Sequence, residues 1–232
     1  MPHQRQAAHK DMLNEFSLDY CFPGDTGGVA PLTVLVTRER LTRMVQGLVV
    51  PKKGLHTPTA KKVVGFMKEL GCENLDVVVK SDQENAMKVM VRDISRLRSA
   101  SGARTIPESS PAYSSASNGM VERGVQTVEA QMRVMRSALE ERWKVTVGET
   151  HVVWPTLVVH AGFLLNRCEV GHDGKTAYER NTRKVATILG LEFGELIHFK
   201  KIVAPGKLSP KWESGIFLGI RADSGEVWVG DA

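Results

Sequence analysis

The feature that most constrains the fold of this chain is a long apolar stripe. Val121, Val125, Val128, Met132, Met135 and Leu139 recur at steps of four and three, which is the spacing of one continuous helix face. A stripe of that length needs a layer to bury against. Immediately before it runs Tyr113-Ser-Ser-Ala-Ser-Asn-Gly119, a stretch of small residues that reads as a loop entering the helix. One position round from the stripe, Glu122, Gln126, Glu129, Arg133, Arg136 and Glu140 trace a parallel polar line. Glu122 is therefore expected in the first helical turn, at the edge of the buried face. A glutamate there can simply complement the helix macrodipole, or it can point at chemistry.

Two other stretches bear on that choice. Glu15-Phe-Ser-Leu-Asp-Tyr-Cys-Phe22 alternates as a strand, with Phe16, Leu18, Tyr20 and Phe22 on one face and Ser17, Asp19 and Cys21 on the other. Aspartate has poor strand propensity, and a buried carboxylate is costly unless paired or bound to metal. The second stretch, Leu75-Asp-Val-Val-Val-Lys-Ser-Asp82, is a β-branched run of the kind covered on both sheet faces, and it ends in an aspartate. Ligands of open α/β sheets gather at such strand ends. Asp25 is the other carboxylate near the first strand, but the glycines around it place it in a turn.

The remaining elements follow in order. Leu32–Thr37 and Met44–Val50 read as two further strands, giving an antiparallel meander with the first. Thr57-Pro58 reads as a capped helix start, with Val63, Met67 and Leu70 buried and a stop at Gly71. A second helix carries Met87, Met90, Val91, Ile94 and Leu97 inward, and a short strand follows near Arg104–Ile106. Beyond the Glu122 helix, Trp154–Arg167 is apolar on most sides and expected to be buried, with His160 read as a satisfied core histidine. The last segment alternates apolar residues with glycine and reads as a small β appendage exposing Lys200, Lys201, Lys207 and Lys211. The expected organisation is a leader at 1–10, a core at 11–168 and a partly β extension at 169–232.

The net charge of +5 is compatible with a polyanionic partner without requiring one. The three cysteines are far apart, which points to reduced thiols in an intracellular compartment. His3 and His9 lack the paired Cys-x-x-Cys that a zinc module needs, so no zinc is expected in this chain. The longest apolar stretch, near Val152 to Leu165, is broken by Pro155 and His160 and is too short to span a bilayer.

Taken together, Asp19 in the first strand, Ser81-Asp82 closing a later one, and Ser117-Asn-Gly-Met-Val-Glu-Arg123 forty residues further on resemble the Asp-Asp-Glu catalytic core of retroviral and retrotransposon integrases. The wider pattern, including Thr176–Glu179 and Lys207–Gly219, most resembles copia-type elements. The resemblance implies an α/β, ribonuclease H-like fold: a mixed five-stranded sheet with helices on both faces. It implies that Asp19, Asp82 and Glu122 are catalytic and hold two magnesium or manganese ions, with Asp19 bridging them. It further implies contacts to nucleic acid from Tyr113, Ser117, Asn118 and Arg123, DNA ends and target DNA as partners, a homo-oligomer, and work in the nucleus. The implied reaction is trimming of element DNA ends and their joining to target DNA. A catalytically silent, integrase-derived domain that binds nucleic acid is the alternative, and a hydrolytic nuclease of the same fold would differ only in its nucleophile.

Three departures from the family pattern are visible. Gln83-Glu84-Asn85 stands where a glycine-containing turn is common. Ser115 and Ala116 replace the proline and glutamine of Tyr-x-Pro-Gln-Ser, and Glu129 replaces a lysine seven residues after the glutamate. The zinc module that usually precedes the core is not in this chain, which reads as a piece of a longer polyprotein.

Overall fold

The computed structural model describes residues 13–24, 32–109, 115–200 and 206–231, with the side chains of 115–118 outside the description. Five strands form the main sheet: β1 (Asn14–Cys21), β2 (Thr33–Glu39), β3 (Val45–Val50), β4 (Val77–Ser81) and β5 (Thr105–Ser109). Their order is β3-β2-β1-β4-β5. The first three strands make the antiparallel meander, and β4 and β5 join in parallel. Parallel neighbours need crossovers. Helix α1 (Thr57–Glu69) supplies the first and α2 (Asn85–Ser99) the second.

The sheet is mixed because its two faces have different covers. Phe16, Leu18 and Tyr20 of β1 pack with Val63, Phe66 and Met67 of α1 and Met87, Met90 and Ile94 of α2. The opposite face, with Cys21, Val34 and Val36, is covered by α3 (Ser115–Trp143) and α4 (Trp154–Cys168). Val121, Val128, Met132, Met135 and Leu139 of the α3 stripe are all buried. Covered on both faces, β2 is buried at every position.

Particular side chains fix the element ends. Buried Arg98 near the end of α2 donates to Cys72 O (2.9 Å), Leu75 O (2.5 Å) and Thr105 Oγ1 (3.1 Å), which pins the turn feeding β4 and hence the position of Asp82. On the free edge of β3, Asn166 accepts from Val45 N (2.8 Å) and donates to Val45 O (2.7 Å), tying α4 to the sheet. Beyond the core, α5 (Ala177–Thr182) opens with a capping box between Thr176 and Glu179. A separate antiparallel sheet, β6-β7-β8 (Leu196–Lys200, Trp212–Ile220, Val227–Gly230), packs through β7 on α4. No described helix is long and apolar enough to cross a membrane.

Several local expectations are corrected. Helix α3 starts at Ser115, so 115–119 is helical rather than loop and Glu122 lies two turns in, not in the first. The cap of α1 is His56, whose ring meets Thr59 Oγ1 at 2.7 Å; Thr57 is already helical and makes no capping bond. Phe22 lies past the end of β1 and is exposed. His160 is buried, but among the described residues neither ring nitrogen has a hydrogen-bond partner, so it is not the satisfied core histidine expected.

Candidate metal and nucleic-acid site

The pairing of β1 with β4 runs in parallel from Asn14 opposite Val77 to Ser17 opposite Lys80. Carried two residues further, that register sets Asp82, the residue after β4, level with Asp19. Strand alternation puts Asp19 on the Cys21 face, away from Phe16 and Leu18, and Asp82 on the same side, away from Val77 and Val79. That is the face on which α3 lies. Two aspartates at the C-terminal ends of adjacent parallel strands thus face the helix that carries Glu122.

The electrostatics agree with this proximity. Asp19 is half-buried, and its pKa is pushed up to about 6, chiefly by burial, with Asp82 and Glu122 adding repulsion. The Tyr20 amide, donating to Asp19 Oδ1 at 2.8 Å, and Lys53 act in the opposite sense. Asp82 Oδ1 accepts from Glu84 N at 3.1 Å, so a side chain–backbone turn takes the place of a glycine turn. Glu122 is exposed on its helix. Among the described residues no three His, Cys, Asp or Glu side chains converge closely enough to hold an ion. The expected close triad is therefore not assembled: two aspartates are level, and Glu122 senses them from an exposed position. The donor chemistry, all carboxylate oxygen with mutual repulsion at Asp19, fits a hard divalent cation.

The other expected residues divide. Arg123 is exposed beside Glu122 and its side chain makes no hydrogen bond or ion pair among the described residues. Tyr113 and the side chains of Ser117 and Asn118 lie outside the described residues. Lys200, Lys207 and Lys211 are exposed as expected, and Lys201 lies outside the description.

Two groups at this end of the sheet were missed by sequence reasoning. Lys53, in the turn between β3 and α1, bridges Glu84 at 2.7 Å and lies 4.9 Å from the Phe22 ring centre and 5.7 Å from that of Tyr20. The Pro51-Lys52-Lys53-Gly54 turn marks it only as exposed charge. Burial pushes the Cys21 thiol pKa upward, and Glu129, standing against it, adds to the rise. No periodicity predicts that meeting, because it depends on how α3 crosses β1.

A mixed five-stranded sheet with helices on both faces and a small separate sheet is the ribonuclease H-like fold of integrase catalytic cores. A chain in the cryo-EM structure of a simian T-cell lymphotropic virus intasome in complex with PP2A regulatory subunit B56 gamma is similar, with a TM-score of 0.55 and 12% identity over 100% of this chain and 80% of that one. The catalytic core domain of BIV integrase is similar at a TM-score of 0.47 and 18% identity, covering 73% of this chain and 93% of its own. The HTLV-2 integrase catalytic core domain in complex with magnesium, in a trimeric form, gives 0.48 and 11%, covering 72% and 95%. No protein-family model matches the chain, and no curated protein matches it.

Proposed function

We propose that this chain is the catalytic part of a copia-type retrotransposon integrase, a polynucleotidyl transferase that trims element DNA ends and joins them to target DNA. The observation that carries this reading is the β1–β4 register, which sets Asp19 and Asp82 level on adjacent parallel strands beneath the helix of Glu122. Asp19, Asp82 and Glu122 would hold two magnesium or manganese ions. When bound, such ions activate the attacking oxygen and stabilise the leaving one.

The protein's own part is placement and charge. Asp19, between the other two carboxylates, must be ionised to bind a cation, and with a pKa of about 6 it gives up its proton at neutral pH. Glu122 is exposed and would have to turn toward the aspartates to share an ion with them. Lys53 balances the carboxylates at one side, and Arg123 offers a guanidinium to a DNA phosphate. The work takes place on DNA in the nucleus, with a homo-oligomer bringing two DNA ends together.

A second reading, a silent domain that binds nucleic acid without cutting it, is favoured by the lack of a converged triad among the described residues. A strand-transfer assay on labelled oligonucleotides with magnesium or manganese separates the two. The enzyme joins a 3′-hydroxyl end to target DNA and loses at least about 100-fold of that activity in Asp19→Asn. A chain that binds the oligonucleotide and never joins it is the silent domain.

A further inference from the structure

On the α3 side of the sheet, beside the third and fourth turns of that helix, lies a cleft of about 40 Å³ lined by Arg38, Arg43, Gly124, Thr127, Glu169 and Arg180. Arg38 reaches it from β2 and is only 9% exposed. Among the described residues its Nε has no hydrogen-bond partner, and the bond its side chain makes is a long one, 3.4 Å from Nη1 to Met120 O. Arginine does not deprotonate in proteins, so this is a buried cation short of partners. The charges around it deepen the deficit: Arg43, Arg123 and Arg180 oppose its ionisation, and Glu169 alone supports it.

The donors that face this space are largely uncommitted. Arg43 is exposed, and its side chain makes no hydrogen bond or ion pair among the described residues. Arg180 spends most of its fork on Asp173, Lys175 O and Thr42 O, leaving one Nη1 hydrogen. The backbone is shaped for the arrangement. A Cβ at Gly124 would stand 3.0 Å from Arg38 Cδ, so a larger residue there would have to push the Arg38 stem aside by a few tenths of an ångström.

We propose that this cleft binds one phosphate group, gripped by Arg38 and flanked by Arg43 and Arg180. The space holds about three waters, which is the size of one tetrahedral oxyanion. Several guanidinia converging from different elements suit phosphate, whose oxygens accept from several directions. Glu169 on the rim narrows the cleft to a strongly charged anion, since a weaker one would not offset its repulsion. The group comes either from a DNA backbone or from free phosphate; the DNA source rests on the integrase reading above, and the free source does not.

Two measurements on the whole chain decide it: thermal unfolding in inorganic phosphate against chloride at matched ionic strength, and binding of a labelled DNA duplex across a salt series. Phosphate at 100 times its dissociation constant should raise the wild-type melting temperature by about 5 °C or more. Arg38→Met and Arg43→Gln should both lose most of that rise, and Arg38→Met should melt no lower than wild type in chloride. Should Arg38→Met fail to fold, exposed Arg43→Gln still carries the test. If the occupant is a DNA phosphate, Arg43→Gln weakens duplex binding and reduces the salt slope by about one. A phosphate response with unchanged DNA binding identifies free phosphate instead. Absence of both effects overturns the site. A chain that responds to phosphate yet shows no metal-dependent strand transfer keeps this site and loses the integrase reading.

Discussion

Asp19 titrates near 6 because burial disfavours its charge and Asp82 and Glu122 repel it. Without metal, the folded chain holds a proton that the unfolded chain releases above 3.8. Asp19 therefore opposes folding increasingly as pH rises from 3.8 to 6, and the penalty disappears as pH falls. Asp19→Asn should stabilise the metal-free protein at pH 7.5 by about 1–2 kcal/mol, discounted for partial exposure, with the gain vanishing near pH 4 in urea titrations. His160 acts in the opposite sense. Ringed by Phe163, Phe193 and Phe217 at 5.4–5.8 Å, it is lowered from 6.5 to about 4 by burial and, less, by Arg167. Its unfolded form takes up a proton first, so stability is lost as pH falls from 6.5 toward 4. His160→Leu should flatten that acid-side loss and leave stability at pH 7 equal or higher, as followed by unfolding at pH 5 and 7. Burial of His160 was legible from its apolar neighbours in α4. Its lack of partners was not, because Phe193 and Phe217 arrive from outside that helix.

Periodicity located the elements, and hydrogen bonds set where they stop. The stripe from Val121 to Leu139 and the alternation of β1 are visible in sequence because they express one-sided burial, which the structure keeps. Helix starts depend on individual donors and acceptors. The hydroxyl of Thr57 was an adequate cap by type, yet His56 occupies that position. Small residues before Gly119 suggested loop, whereas α3 continues back to Ser115. Thr176 and Glu179 cap α5 with a capping box, a local role not assigned to them from the sequence. At this scale the sharpest consequence concerns Asn166, whose amide serves both polar groups of Val45 at an otherwise open edge. Asn166→Ala leaves a buried N–H and C=O unpaired and should cost about 2–4 kcal/mol in denaturant unfolding. Asn166→Asp keeps the acceptor, loses the donor to Val45 O, and should fall at least as far, since it also buries a charge.

The fold as a whole brings together residues that the chain separates, and this sets how much of the candidate site was legible. Asp19, Asp82 and Glu122 stand out as candidates through their order and element context. Their mutual level follows only once β1 and β4 are known to be neighbours. Lys53, Glu129 and the arginines around Arg38 come from separate elements and have no common motif. With a net charge of +5, affinity for duplex DNA should fall steeply between 50 and 200 mM salt, because each phosphate contact releases counterions. An affinity indifferent to salt would point to another kind of partner. The central claim is that three carboxylates from β1, the end of β4 and α3 make one site for two divalent ions. Manganese titrated into the protein at pH 7.5, with bound and free ion counted by electron paramagnetic resonance, tests it most directly. About two ions per chain are expected in the wild type and neither in Asp19→Asn. Equal manganese binding by the two proteins, or none by the wild type, would contradict it.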